Sequence, residues 1–155
     1  MRFRFRLETV MRQRRVEKDI AQREFSEAQD HVQKQLQKIK KMYKQIDDAR
    51  VTAQLLEKKG GRHASQLVQT EEFIVGQNIL IQKERERARE LMAIADEKLE
   101  ILTEKLRAFK ILEKLKEKKR EEFRKEHNRR IDKQLDDLTV MRASINQSSD
   151  KTGSA

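Results

Sequence analysis

The sequence has no cysteine, no proline and no tryptophan, and only four glycines among its 155 residues. Each shortage closes off a class of protein. Without cysteine there is no disulfide framework, which suits a reducing compartment. Without proline, and with glycine scarce, little interrupts a helix. Apolar residues are in short supply too: 35% of the chain, against 41% charged, where a soluble domain usually has about half and a quarter. That is too little to fill a compact globule of this length, but enough for a narrow seam along long helices. The three histidines, His31, His63 and His127, stand far apart without metal-ligand spacing, and no metal is expected. No apolar run approaches the roughly twenty residues that cross a bilayer. No apolar h-region follows the arginines of MRFRFRLETVMRQRR, so a secretory signal is not expected. A mitochondrial presequence would stay poor in acids, yet Glu17, Asp19 and Glu24 follow at once and the helical pattern runs on through them.

What is present is helix-forming: Lys, Glu, Arg, Gln, Leu and Ala dominate. A heptad ruler meets Phe25, Ala28, Val32, Gln35, Ile39, Met42, Ile46, Ala49, Ala53 and Leu56 in alternating steps of three and four. That is a coiled-coil seam sustained for more than four heptads. Gln35, its one polar layer, is either a tolerated surface-like position or a lock on register. Extended backward, the ruler meets Ala21, Lys18, Arg14, Met11 and Leu7. Lys18 and Arg14 are poor seam residues, and Val10, Val16 and Ile20 lie off the ruler, so the stripe is expected to rotate or widen there. At EKKGGRHAS, residues 57–65, the adjacent Gly60 and Gly61 end the helix. Ser65 is the expected N-cap of the next one. That second helix carries a less regular stripe through Ala88, Leu91, Ala95, Leu99, Leu102, Leu106 and Phe109, whose doubled step of four reads as a stutter. A sparser stripe continues through Phe123, His127, Ile131, Leu135 and Leu138. The expected fold is all-α, one antiparallel coiled-coil hairpin over residues 1–155 with the second helix longer and overhanging. Its parts are a helix over about 5–58, a hinge at 59–65, a helix over about 66–145 and a disordered tail at 146–155.

The charge is uneven. The chain carries +10 in total, of which residues 1–24 hold +4, residues 105–133 hold +7 and the hinge region 57–90 only +1. Folding about the glycines sets residue 7 near residue 118, so both basic segments are expected at the open end, where they could steer an acidic partner. Nucleic acid is not the expected partner. A DNA-reading basic helix carries few acids, whereas Glu117, Glu121, Glu122 and Glu126 interrupt this one. Transient contact with a membrane surface stays open for the Phe3, Phe5, Leu7, Val10 and Met11 stretch. No catalytic set is found, since scattered acids and hydroxyls on a convex surface lack a dry, organised site. No enzyme activity and no cofactor are expected.

The run FRLETVMRQRRVEKDIAQREF and the later LEKLKEKKREEFRKEHNRRIDKQLDDL resemble the ends of the flagellar export protein family FliJ. The resemblance implies a non-enzymatic, stalk-like part of the flagellar type III export apparatus, cytoplasmic and peripheral at the inner face of the inner membrane. Its implied partners are the hexameric export ATPase, the cytoplasmic domain of the export gate, and export chaperones with their substrates. It implies that the open end enters the ATPase ring, with Phe3, Phe5 and Leu7 as apolar anchors and Arg6, Arg12, Arg15, Arg120, Arg124 and Arg129 as partner-facing charges. For the gate it implies Phe73, Gln77, Leu80 and Glu84. A stalk from a virulence-type secretion system, or a general coiled-coil adaptor, is the alternative.

Overall fold

A computed structural model describes residues 2–152, with side chains described over residues 2–144. The described chain is all-α: helix α1 spans Glu8–Lys59, a short 3-10 turn spans Gly61–His63, and helix α2 spans Ala64–Thr152. Two compact units divide it. One is Arg15–Arg107 and holds the hinge; the other joins Met1–Arg14 to Ala108–Ala155.

In the hinge unit, α1 and α2 run antiparallel. Glu24 pairs with Lys98 at 2.9 Å and Glu17 with Lys105 at 3.2 Å, so seven residues back on one helix match seven forward on the other. Lys38 pairs with Glu84 at 2.7 Å, fourteen residues from the Glu24–Lys98 pair on each helix. One heptad register therefore serves the unit. Its core is the seam itself: Ile39 and Ile46 from α1 pack with Ile74, Ile81 and Ala88 from α2, flanked by Met42 and Ala49. Ile46 and Ile81 are the most enclosed, each 1% exposed. Each such side chain contributes roughly 1.5–3 kcal/mol when fully buried, several times an exposed ion pair, so packing holds the unit and charge pairs fix its register.

One expectation about the seam is corrected. The second helix has no stutter. Covered residues follow one another at Ile81, Glu84, Ala88, Leu91, Ala95, Lys98, Leu102 and Lys105 in unbroken steps of three and four, with Ile101, Thr103 and Leu106 covered beside them, while Leu99 is 44% exposed. The facing helix keeps a strict heptad, and a stutter would put the two stripes out of phase. Lys98 fits the seam position because its methylene stem covers apolar surface while its ammonium reaches Glu24. Toward the N-terminus the α1 stripe keeps its ruler and widens, with Glu17 part-covered beside it. The ruler position Lys18 stays part-covered, while Val16 and Ile20 are exposed.

Gly60 has φ 85°, the left-handed region that a side chain resists, and its N–H donates to the Glu57 carbonyl at 3.3 Å. The His63 N–H then donates to the Gly60 carbonyl at 3.3 Å, closing the 3-10 turn. Lys58 and Lys59 occupy the last turn of α1, where cations suit the helix dipole. Because the 3-10 turn runs straight into Ala64, Ser65 lies inside α2 and is not its N-cap.

In the terminal unit, residues 2–5 have no regular structure and α1 begins at Glu8, later than the expected position near 5. The Glu8 N–H donates to the Phe5 carbonyl at 3.2 Å and the Met11 N–H to the Leu7 carbonyl at 2.9 Å. Met11 and Phe109 are buried. Helix α2 continues to Thr152, beyond the expected end near 145. The rest of the expected tail, 153–155, lies outside the described residues.

Candidate partner-binding surfaces

The sequence places arginines and phenylalanines at both ends of the chain, and the terminal unit brings them together. Phe3 packs on Phe123 with ring centroids 5.7 Å apart at 54°, and Phe123 stacks on His127 at 6.1 Å. Such tilted and offset pairs suit the ring quadrupoles. Lys116 bonds Glu8 at 2.8 Å, tying α2 to the first turn of α1. Phe3, Phe5 and Leu7 then line a groove against Leu115, Lys119 and Phe123. Phe3 and Phe5 are half-buried, so these two expected anchors are spent largely on holding the N-terminal segment to α2. Leu7 stays exposed.

The acids that interrupt the basic stretch are mostly neutralised locally. Glu122 pairs with Lys119 at 2.8 Å, Glu121 with Lys125 at 2.8 Å and Glu126 with Arg130 at 2.5 Å. The Lys119 ammonium holds the Glu122 carboxyl below its ordinary range, and Lys125 does the same for Glu121. Arg120 and Arg124 are left exposed, without an ion pair among the described residues. They sit one turn apart on one face, whereas Arg129, nine residues beyond Arg120, emerges on the opposite side of the helix. Arg6 and Arg12 are exposed in the same unit. Arg15 falls in the hinge unit and already interacts within the chain.

Past His127, α2 shows an apolar stripe that no part of the described chain covers: Ile131, Leu135, Leu138 and Met141 are all exposed. Its helical spacing as far as Leu138 was visible in the sequence. Its value as a contact surface was not, because a seam and an empty half-seam share one pattern.

The second set, Phe73, Gln77, Leu80 and Glu84, is divided by the hinge unit. Phe73 is 44% and Leu80 47% exposed. Gln77 is half-covered, with its Oε1 buried and lacking a hydrogen-bond partner among the described residues. Glu84 accepts from Gln35 Nε2 at 2.5 Å and from Lys38 Nζ at 2.7 Å. Those two donors, Lys38 above all, hold its carboxyl below the usual 4.5. Gln35 also donates to the Glu84 carbonyl at 3.0 Å. The polar layer at Gln35 thus has a specific partner across the seam, as a register lock requires. Only Phe73 and Leu80 of the four face outward.

A family model described as "Flagellar FliJ protein" matches residues 3–148. The chain belongs to the FliJ family. No curated protein and no solved structure matches it. FliJ membership places the chain among the non-enzymatic components of the flagellar export apparatus and sets its role within protein transport. Among the described residues, no three His, Asp or Glu side chains cluster to hold a metal ion. No helix among them is long and apolar enough to cross a membrane.

Proposed function

We propose that this FliJ-family chain is a stalk-like element whose terminal unit enters the ring of the hexameric export ATPase. The observation that carries this is the meeting of both chain ends around Phe3 and Phe123, in a unit that also exposes Arg12, Arg120 and Arg124. Beyond it, the uncovered stripe Ile131–Leu135–Leu138–Met141 offers a ring an apolar surface on one helix face. Charge there steers the encounter and the apolar stripe supplies contact area. Phe73 and Leu80 are the two residues of the hinge unit assigned to the cytoplasmic domain of the export gate. Gln77 and Glu84 support them from the seam. Export chaperones with their substrates are further partners of this reading, and the working place is the cytoplasmic face of the inner membrane.

The test is co-purification with the cognate export ATPase, followed by its hydrolysis rate with and without the chain. Replacing Arg12, Arg120 and Arg124 by glutamate should weaken capture while leaving helix content unchanged. Undiminished capture by that variant rejects the ring assignment.

A further inference from the structure

The segment of α2 from Leu67 to Ile81, LVQTEEFIVGQNILI, carries large apolar residues on nearly every side. Ile74 and Ile81 are consumed by the seam. On the outer side Val75 and Ile79 are each 58% exposed, and with Val68 they line a shallow apolar groove that also includes Glu72 and Gly76. A helix that is hydrophobic all round is normally covered all round. Gly76 sharpens the point. In mid-helix it destabilises by about 1 kcal/mol relative to alanine. A Cβ built there meets nothing within 4 Å, so nothing in the chain requires a glycine. A glycine flanked by exposed apolar side chains lets another backbone come close.

The charges on this face identify the occupant. Glu72, Gly76, Ile79 and Lys83 follow one another at steps of four, three and four, one heptad stripe. The stripe is self-complementary about its midpoint. If a second α2 is laid on it antiparallel, Gly76 faces Ile79, Val75 faces Leu80 and Glu72 faces Lys83, each pair occurring twice. Glu72 and Lys83 are both exposed and neither makes an ion pair among the described residues. A parallel arrangement would instead set Glu72 against Glu72. We infer that this face is a two-fold interface with a second copy of the chain, helices crossing antiparallel where each Gly76 receives the other copy's Ile79. Such a contact uses one patch on both partners, as closed dimers do. Its short length puts it in the small, reversible class below about 1,200 Å² of total buried surface. It stands independently of the ring assignment and shares only Leu80 with the gate assignment.

Sedimentation of the full chain over a range of concentrations tests it. The wild type should pass from monomer to dimer as concentration rises. Glu72→Lys alone, or Lys83→Glu alone, sets like charges together twice and should weaken association roughly tenfold or more. The double swap Glu72→Lys with Lys83→Glu should restore it to near the wild-type constant. Gly76→Leu should abolish it with helix content kept, since the side chain enters open space in the single chain. A wild type that stays monomeric throughout overturns the inference. So does association that is indifferent to the single charge reversals, or that the double swap fails to rescue.

Discussion

Two alanine substitutions on α2 test the register on which every surface described above depends. Ile81→Ala and Leu99→Ala each remove three carbons from the same helix and raise its helix propensity slightly, so propensity does not separate them. Ile81 is 1% exposed and Leu99 44%. For Ile81 the lost transfer term is about 0.8 kcal/mol per carbon, or roughly 2.4 kcal/mol. The cavity left between Ile46, Ile74 and Ala88 raises this to about 3 kcal/mol, inside the range for such core truncations. For Leu99 at most about half the transfer term applies, near 1 kcal/mol, because no enclosed cavity forms. Urea unfolding followed by circular dichroism reads the difference. With a slope of about 2 kcal/mol per molar, the midpoint of Ile81→Ala should fall about 1 M below that of Leu99→Ala. Equal midpoints would mean that Leu99 occupies the seam after all. The stutter would then return, and Lys98 would lose its place opposite Glu24.

Three further outcomes are expected. Gly60→Ala forces a side chain into φ 85° and should destabilise the hairpin by about 1–2 kcal/mol, where Gly76→Ala should stabilise the isolated chain by about 1 kcal/mol; thermal melts at low concentration give both signs. Gln77→Leu removes a buried oxygen that has no partner among the described residues and should raise stability by about 1 kcal/mol, a result an unchanged melting temperature would contradict. Glu84 has its folded carboxyl held below 4.5 by Lys38 and Gln35, so its contribution is present above that value and fades as pH falls through and below it. The gap in melting temperature between wild type and Glu84→Gln should therefore be open at neutral pH and close in acid; a gap that persists at low pH would mean that the pair does not depend on the carboxylate.

Much of the fold was legible before any coordinates. The unbroken 3-4 spacing from Phe25 to Leu56 announced a seam, and the core is built on Ile39 and Ile46 from that ruler. The glycine pair marked the reversal, and Gly60 carries the positive φ. The site was legible in composition more than in detail. Arginine and phenylalanine at the two ends could be seen to belong together, yet nothing in the spacing showed that Phe3 would spend itself on Phe123. Gln77 and Glu84 looked equivalent to Phe73 and Leu80 because all four recur at helical spacing, but a few tens of degrees around the helix separate a seam edge from an exposed flank.

Period is a property of one helix, and so the sequence alone determined that there would be two long helices, a seam and a hinge. Phase is a property of a pair. Where α2 carries apolar residues on nearly every side, at 67–81, or where a lysine stem can replace a leucine, at Lys98, only the packing of α1 against it decided which residues went inward. That same choice left Val75, Ile79 and Leu80 in the open for a partner, because a helix can turn only one face to the helix it folds against.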